Sequence, residues 1–151
     1  MYEYKFPMAA ITSDVAIFRI SDSGDVEVLT IIRGCEPYKG MNALIGGHCE
    51  VETETIRETL IRETKEEVGV DISGQIIRFV GFYDNPKRDT RCRVISFCYT
   101  LWATMTMLYN IKAGDDAESY QWVSLGDIKN KKVAMAFDHY DMVMDAWGVL
   151  E

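Results

Sequence analysis

Three glutamates with helical spacing, Glu63, Glu66 and Glu67, are the residues whose type and pattern point most clearly to chemistry; they lie in the stretch RETKEEVGV. On an α-helix, at about 100° per residue, all three fall within an arc of roughly 100°. Two such carboxylates about 6 Å apart repel each other by roughly 3 kcal/mol at an effective dielectric of 20. A hard divalent cation offsets this repulsion, and oxygen ligands suit Mg²⁺ or Mn²⁺. The pattern predicts a metal site, with a solvated acidic face as the alternative.

A glycine pair precedes these glutamates. Gly46 and Gly47 open the segment GGHCEVETE, in which Glu50, Glu52 and Glu54 supply further carboxylates. Glycine lets the backbone approach a ligand closely. The segment therefore favours a ligand site over a plain charged surface, and Gly46 and Gly47 are predicted to contact the substrate.

The helix that must carry the glutamates is predicted from about Thr55 to Val68. Residues suited to one buried face recur there at three- and four-residue spacings, namely Ile56, Leu60, Ile61, Thr64 and Val68. Thr55 and Glu58 fit a capping box, and Gly69 fits the stop signal. One side of this helix is therefore expected in the core, with the carboxylates at the edge of that core.

Segments rich in β-branched residues are predicted as strands on both sides of this helix. They are AAITSDVAIFRI, VEVLTIIRG, NALIGG, QIIRFVGFY, RVISFCYTLWATM and SYQWVSL, and the turn Asp22–Asp25 joins the first two as a hairpin. A closing helix follows Phe137, with Asp138 as its N-cap and with Val143 and Trp147 on one face. Because strands and helices do not alternate strictly, we expect an α+β fold in which helices pack on a mixed sheet.

Size, charge and cysteine usage narrow the class of protein. At 151 residues the chain suits a single domain, 1–151, with one core. Its net charge of −8 argues against general attraction to nucleic acid or to an anionic membrane. Its apolar runs fall far short of the ~20 residues that span a bilayer. The four cysteines show no paired spacing and no signal peptide precedes them, so reduced thiols and a cytoplasmic location are expected.

The stretch from Gly47 to Val70 resembles the motif of the Nudix hydrolase superfamily. That motif runs Gly, five residues, Glu, seven residues, then Arg-Glu-apolar-x-Glu-Glu-x-Gly-apolar, and a match at so many fixed positions is specific. Here six residues separate Gly47 from Glu54, so the loop is one residue longer than the motif. An insertion of this kind is absorbed in a loop, but it leaves the placement of Glu54 open. Thr64 stands where an aliphatic residue is usual.

The resemblance implies a mixed sheet sandwiched between helices (α/β/α) and an enzyme that hydrolyses the pyrophosphate bond of a nucleoside diphosphate linked to another group. By position, Glu63 and Glu67 would be the main metal ligands, and Glu66 would bind the metal directly or through water. Arg62 would orient this acidic cluster. The cofactor, Mg²⁺ or Mn²⁺, would neutralise phosphate charge and lower the pKa of bound water. Related enzymes are frequently dimers, so a homodimer is implied as well.

Segments outside this motif resemble a bacterial and phage branch that cleaves ADP-ribose and related adenine dinucleotides; they are NPKRDTRCRVIS, AGDDAESYQW and AFDH. The first of them holds the dense basic run Lys87, Arg88, Arg91 and Arg93. Arg88 and Arg91 are predicted to grip substrate phosphates through bidentate contacts. A solvated hairpin tip is the alternative.

An acidic loop lies between two of the predicted strands and contains Asp115, Asp116 and Glu118. Nudix enzymes often place an extra carboxylate in such a loop as a metal ligand or general base. Asp116 and Glu118 are therefore candidate catalytic residues that take a proton from the attacking water. A plain acidic loop is the alternative.

Three ring side chains complete the candidates. Tyr83 is a candidate for stacking on adenine, although an aromatic residue at a strand end is more often part of the core. His139 follows the expected cap Asp138 and is expected to be structural. His48 borders the glycine pair and is within reach of a phosphate there, but a loop position alone is weak support.

The leading functional prediction is a magnesium-dependent pyrophosphatase that releases AMP from ADP-ribose or from related adenine dinucleotides such as diadenosine polyphosphates, NADH or FAD. One alternative is hydrolysis of oxidised nucleoside triphosphates or of RNA 5′ ends. The net negative charge of the protein disfavours binding of long RNA. Another is a non-catalytic ADP-ribose-sensing module of a transcriptional regulator. Such a sensor needs a DNA-binding segment after the domain, whereas the sequence ends at Glu151. A mere binder also has no reason to keep three mutually repelling carboxylates.

Overall fold

The computed structural model describes residues 1–113 and 120–151. These residues form a seven-stranded sheet in the order β3-β2-β1-β6-β5, with β4 added beside β1 and β7 beside β2. The strands are β1 (Ala10–Ile20), β2 (Val26–Ile32), β3 (Asn42–Ala43), β4 (Ile45–His48), β5 (Arg78–Tyr83), β6 (Val94–Trp102) and β7 (Tyr120–Ser124). The helices are α1 (Ile56–Val68), α2 (Met105–Ala113), α3 (Leu125–Lys129) and α4 (His139–Leu150).

The sheet is mixed, as the order of elements predicted. Strands β1 and β2 form the expected antiparallel hairpin, in which Phe18 is opposite Val28. Gly24 in the connecting turn has a φ of 89°, a left-handed geometry that glycine adopts without steric cost. Strand β1 runs parallel to β6, whereas its other neighbours β2 and β4 are antiparallel.

Strand β1 lies at the centre and is buried on both faces, so its successive side chains enter two different cores. On one face, Ala16 and Phe18 pack with residues of α3 and α4. On the other face, Val15 and Ile17 pack with residues of α1 and α2. The predicted sandwich of helices around a mixed sheet is therefore confirmed.

Helix α1 begins and ends where the sequence predicted. The Thr55 hydroxyl accepts a hydrogen bond from the Glu58 backbone N–H, while the Glu58 carboxylate accepts one from the Thr55 N–H, which completes the capping box. Gly69 ends the helix in the left-handed conformation, with a φ of 76°. Leu60 and Thr64 are fully buried, so the predicted core face is confirmed.

Three of the predicted strand segments are interrupted or end early. NALIGG is not one strand: its first part pairs with β2 and its last part with β1, and the buried Leu44 lies between the two. RVISFCYTLWATM is a strand only to Trp102, because the Thr104 hydroxyl accepts a hydrogen bond from the Met107 backbone N–H and starts α2. Similarly, SYQWVSL ends as a strand at Ser124, whose hydroxyl caps the short helix α3.

The last helix has the predicted N-cap residue but lacks its side-chain capping hydrogen bond. Asp138 occupies the cap position of α4, but its side chain makes no capping hydrogen bond. Both of its carboxylate oxygens instead accept hydrogen bonds from Arg88. A charged guanidinium is the stronger partner for a carboxylate, which explains why the local capping rule fails here. Val143 does pack in the core, and Trp147 against it, as predicted.

In the structure the four cysteines are free, two of them exposed and Cys98 buried. Within the described ranges, 1–113 and 120–151, the helices are too short or too polar to cross a membrane.

Candidate active site

The glycine pair lies on β4, where Gly46 is opposite Asp14 of β1. The Gly46 backbone N–H donates a hydrogen bond of 3.2 Å to the Glu67 carboxylate. A Cβ atom at Gly47 would collide with the Glu63 carboxylate, and one at Gly46 would collide with the Asp14 carboxylate and the Ser13 carbonyl. Gly46 therefore requires glycine, because its clash includes backbone atoms, whereas a side chain at Gly47 would require the Glu63 carboxylate to move.

Arg62 holds the acidic cluster together. Its Nη1 donates to Glu63 Oε1 at 2.9 Å and to Glu66 Oε2 at 3.2 Å. Its Nη2 donates to the backbone carbonyl of His48 and to Glu54 Oε2, each at 3.1 Å, and its Nε also contacts Glu54. These contacts match the orienting role expected for Arg62 and raise the pKa of its guanidinium, chiefly through the hydrogen bond to Glu54.

Glu54 belongs to this cluster despite the longer loop. The backbone N–H groups of Thr53 and Glu54 both donate to the Glu50 carbonyl, which closes a tight turn that absorbs the extra residue. The Thr59 hydroxyl donates to Glu54 Oε2 at 2.9 Å. The hydrogen bond from Arg62 lowers the pKa of Glu54 to about 2, so this carboxylate is charged. The sequence left the placement of Glu54 open, and the structure places its carboxylate beside Arg62.

The two deeper glutamates have the opposite electrostatic environment. Burial, followed by the charge of Glu63, raises the pKa of Glu67 to about 8. Burial also raises the pKa of Glu63, against the effect of its hydrogen bond from Arg62. Glu66 differs, because its side chain is 59% exposed. A nearby cation would favour the ionised forms of Glu63 and Glu67 and so offset the cost of burying them.

The predicted metal ligands have the donor atoms that a hard cation prefers, but they are not arranged around one point in this structure. Within residues 1–113 and 120–151, no three His, Cys, Asp or Glu side chains are gathered closely enough to hold a metal ion. Glu63 and Glu66 turn toward Arg62, while Glu67 turns toward Gly46. All three offer carboxylate oxygen, which Mg²⁺ and Mn²⁺ prefer. The chemistry of the donor set therefore fits such an ion.

A cavity adjoins this cluster, and a second cavity lies next to the first. The first cavity has a volume of about 250 Å³, and its lining includes Asp14, Arg33, Gly46, Gly47, Glu67, Arg88, Arg91, Phe137 and His139. The second cavity has a volume of about 420 Å³, and its lining includes Tyr38, Phe82, Tyr83, Asp84, Lys87, Arg88, Phe137 and Asp141. Arg88 and Phe137 line both, so the two cavities share a wall.

Arg88 and Arg91 line the first cavity, but each already forms a bidentate ion pair. Arg88 donates to both oxygens of Asp138, at 2.9 and 2.7 Å, and its side chain is only 4% exposed. Arg91 donates to both oxygens of Asp89, at 3.1 and 2.8 Å, and is 45% exposed. The alternative of a solvated hairpin tip therefore does not hold for Arg88. Phosphate contacts by either residue remain predictions.

The other two basic residues of that run lie apart from the first cavity. Lys87 lines the second cavity. Arg93 donates to the backbone carbonyl of Asp84 at 3.0 Å. The sequence run of four cations is thus divided among different partners and does not form one basic patch.

Tyr83 lines the second cavity and also packs against the core. Its hydroxyl donates a hydrogen bond of 2.6 Å to Asp145. Burial and this hydrogen bond raise the pKa of the Tyr83 phenol, so it stays neutral. Both interpretations of Tyr83 are therefore compatible with its position, and stacking on adenine remains a prediction.

His139 has a structural role, as expected, although it also lines the first cavity. Its Nδ1 accepts a hydrogen bond of 3.0 Å from the Leu44 backbone N–H, and its Nε2 lies 4.0 Å from Asp14 Oδ1. Burial lowers the pKa of His139, so the ring is neutral. His48 is exposed on the rim of the same cavity. The candidate acidic residues Asp115, Asp116 and Glu118 lie outside the described residues.

Sequence reasoning missed three residues of the first cavity: Asp14, Arg33 and Phe137. Asp14 is buried on β1 and accepts a hydrogen bond from the Ser96 hydroxyl. A carboxylate inside the apolar run AAITSDVAIF was a usable signal, because an unpaired buried charge is costly. Phe137 lies in the segment AFDH, which resembles the dinucleotide-cleaving branch, but its residue type alone indicates no role in a cavity.

A comparison with known protein families identifies the family of this chain. The family model described as NUDIX domain matches residues 11–145. The chain belongs to the Nudix family. Its match covers the glycine pair of β4, helix α1 and the described walls of the first cavity.

Several known proteins are similar to this Nudix chain. An ADP-ribose pyrophosphatase of Methanocaldococcus jannaschii is 36% identical over 121 residues, which are 80% of this chain and 66% of that protein. The ADPR responsive transcriptional repressor NtrR of Acinetobacter baylyi is 30% identical over 150 residues, which are 96% of this chain and 56% of the repressor. The chain thus spans less than two thirds of the length of either relative.

Among solved structures, the Nudix domain of Shewanella oneidensis NrtR in complex with ADP ribose has a TM-score of 0.81 against this chain. The identity is 24%, and the match covers 99% of this chain and 94% of that one. This likeness confirms the α+β fold.

Proposed function

We propose that this Nudix chain is a metal-dependent hydrolase of the pyrophosphate bond in nucleoside diphosphate derivatives, with ADP-ribose as substrate and AMP as product. The observation that carries this proposal is the position of Glu67, which lines the first cavity beside the glycine backbone while arginines line the same cavity. Carboxylate and guanidinium groups in one cavity suit a cation together with a pyrophosphate. The relative named ADP-ribose pyrophosphatase supports the choice of substrate.

The proposed cofactor is Mg²⁺, with Mn²⁺ as a substitute, held by Glu63, Glu66 and Glu67. When bound, such an ion neutralises phosphate charge and lowers the pKa of water. The protein's own part is to hold these carboxylates in place, and Arg62 does so through its contacts with Glu63 and Glu66. Asp116 or Glu118 is the proposed general base, on the family resemblance alone.

The substrate is proposed to lie across both cavities. Its pyrophosphate occupies the first cavity, where Gly46 and Gly47 let phosphate oxygens approach the backbone. Its adenosine occupies the second cavity, whose aromatic lining includes Phe82 and Tyr83 and offers stacking surfaces to a base. Because Arg88 and Phe137 line both cavities, the cavities are neighbours and one dinucleotide can extend from one into the other.

A second candidate is a module that binds ADP-ribose without cleaving it. The similarity to a transcriptional repressor over 96% of this chain favours it. The complete set Glu63, Glu66 and Glu67 favours turnover, because a binder gains nothing from three repelling carboxylates. Hydrolysis of oxidised nucleoside triphosphates or of RNA 5′ ends has no observation of its own in its favour.

The test is release of AMP from ADP-ribose, with and without Mg²⁺ or Mn²⁺, followed by chromatography. Diadenosine polyphosphates, NADH, FAD and nucleoside triphosphates are assayed in parallel to rank substrates. Metal-dependent AMP release that is fastest from ADP-ribose supports the proposal. Binding of ADP-ribose in calorimetry, with no product from any nucleotide and either metal, would instead assign the sensing module.

A further inference from the structure

The arginines of the first cavity are not equivalent. Arg88 and Arg91 are each clasped by an aspartate in a bidentate ion pair, so their donors are largely engaged. Arg33 also lines this cavity. In residues 1–113 and 120–151, no carboxylate forms an ion pair with Arg33, since its side-chain hydrogen bond goes to a backbone carbonyl. Arg33 is therefore the guanidinium best able to accept an anion from solution.

The loop after β2 fixes the position of Arg33. The Arg33 backbone N–H donates to the Met41 carbonyl at 3.0 Å, and the Arg33 carbonyl accepts from the Gly40 N–H at 2.8 Å. Its side-chain Nε donates to the Pro37 carbonyl at 2.7 Å. The backbone and one edge of the guanidinium are thus held by the same loop, while the two terminal nitrogens stay available as donors.

Phe137 supplies a flat support for this guanidinium. The Arg33 guanidinium carbon lies 4.8 Å from the centre of the Phe137 ring, a cation–π distance. The ring also packs edge to face against Tyr38 at 4.8 Å and lies 5.5 Å from the His139 ring. Phe137 has a φ of 52°, a left-handed conformation that is strained for a bulky residue and persists only where the surroundings hold it.

We propose that Arg33 binds the phosphate oxygens of the substrate in the first cavity and that Phe137 is the positioning residue that orients its guanidinium. This assignment rests on the proposed function, because it names the anion-binding residue of that same site. Anchoring at Pro37 and stacking on Phe137 remove most of the rotational freedom of the side chain. A guanidinium fixed in this way loses little conformational entropy when two of its N–H groups bind an anion.

Four variants test this assignment. Arg33→Lys keeps the charge but loses the planar fork and the stacking. Phe137→Leu removes the ring, whereas Phe137→Tyr keeps it. Arg19→Lys is the matched control, because Arg19 also stacks on an aromatic ring, that of Trp122 at 4.3 Å, without lining either cavity.

The expected result is a selective loss of substrate binding. Arg33→Lys should raise the KM for ADP-ribose by about 10- to 100-fold, as expected for a charge-assisted hydrogen-bond pair, with a much smaller change in kcat. Phe137→Leu should raise KM in the same direction, and Phe137→Tyr should restore most of that loss. The double variant Arg33→Lys/Phe137→Leu should be no worse than Arg33→Lys alone, because the ring acts through the guanidinium. Arg19→Lys should match the wild type.

A binding measurement separates this assignment from the proposed function. Titration calorimetry with inorganic pyrophosphate should show weaker binding to Arg33→Lys than to the wild type, whether or not the protein cleaves ADP-ribose. Equal pyrophosphate affinity of Arg33→Lys and wild type, with both proteins melting cooperatively, would overturn the role of Arg33. Additive effects of the two substitutions, or a Phe137→Tyr protein as weak as Phe137→Leu, would overturn the role of Phe137. Failure to cleave any nucleotide, with pyrophosphate binding still dependent on Arg33, would reject the proposed function alone.

Discussion

The Gly46 backbone N–H and the Glu67 carboxylate are joined by a hydrogen bond of 3.2 Å that links strand β4 to the last turn of helix α1. The position of Glu67 is therefore set by the sheet as well as by the helix. Glu67 therefore has a packing contact with the sheet as well as a proposed role in binding metal. Substitutions can test these two roles separately.

Glu67→Gln should abolish most of the activity and leave the fold intact. The amide keeps the volume of the side chain and an oxygen that accepts the Gly46 N–H, but it loses the charge that holds a cation. Because a bound cation supplies several kcal/mol of transition-state stabilisation, we expect kcat to fall by roughly 100-fold or more. The measurement is AMP release from ADP-ribose with Mg²⁺. Glu52→Gln, on a residue that lines neither cavity, is the control, and near-normal turnover by Glu67→Gln would refute the ligand assignment.

Gly47→Ala should displace the Glu63 carboxylate, because the new Cβ atom would occupy the space of that group. Because that carboxylate is the end of a flexible side chain, it can move, and the cost in stability should be at the low end of about 1–3 kcal/mol. We expect a lower melting temperature together with a loss of AMP release, measured on the same preparation. Gly74→Ala is the matched control, since a Cβ atom at Gly74 meets no other atom within 4 Å. Equal behaviour of the two variants would show that the close packing of Gly47 on Glu63 is not needed.

Arg88→Ala should destabilise the protein more than Arg91→Ala. Removing the buried Arg88 leaves the Asp138 carboxylate without its partner, which costs about 3 kcal/mol or more. Arg91→Ala also leaves a buried carboxylate, since Asp89 is only 3% exposed, but Asp89 keeps the hydrogen bond from the backbone N–H of residue 91, so this loss should cost less than that of Arg88. Urea unfolding measures both free energies. The double variant Arg88→Ala/Asp138→Ala should be less destabilised than the sum of the single variants, and strict additivity would argue against this ion pair.

His139 should make the stability of the fold depend on pH below about 6.5. Burial lowers the pKa of His139 in the folded state, against the charges of Asp14 and Asp138 and with the help of Arg88 and Arg33. The unfolded chain therefore binds a proton at a higher pH than the folded protein does. His139 takes up a proton on unfolding in that window, so its contribution to the free energy of unfolding falls as pH drops through 6.5 toward the folded pKa, whereas the raised pKa of Glu67 contributes with the opposite sign.

Urea unfolding between about pH 5.5 and 7.5 checks the His139 prediction. The free energy of unfolding of the wild type minus that of His139→Gln should fall as pH drops over this range, because this difference cancels the titration of the carboxylates that both proteins share. The second histidine offers the control: His48→Gln replaces an exposed side chain and should lower the free energy of unfolding by less than His139→Gln does. A difference between wild type and His139→Gln that stays constant with pH would contradict the prediction.

Local signals in the sequence were enough to predict α1 and the first hairpin. The apolar spacing, the Thr55 cap and the Gly69 stop all lie within the helix or next to it, so no distant contact was needed. Helix α2 was missed because its first residues continue the apolar run of β6 without a break, and the capping hydroxyl of Thr104 is inconspicuous in TLWATM.

The acidic part of the candidate site was predictable and the cationic part was not. Glu63, Glu66 and Glu67 are close in sequence, and Arg62 adjoins them, so helical geometry alone brings them together. Arg33 meets Phe137 only through the tertiary fold, and the left-handed backbone of Phe137 leaves no trace in the residue type. The sequence also did not indicate which group would bind the Asp138 carboxylate. It pairs with the Arg88 guanidinium, where a helix cap was expected.

Both faces of strand β1 are buried, so an inserted or deleted residue within this strand would disturb both cores. Asp14 faces the first cavity while its neighbours Ser13 and Val15 point the other way, so a slip of one residue would remove a carboxylate from that cavity and turn an aliphatic side chain toward it. Insertions within β1 would therefore disable binding and packing at once. The one additional residue relative to the family motif falls instead in the turn between Glu50 and Glu54, where the sheet register is untouched.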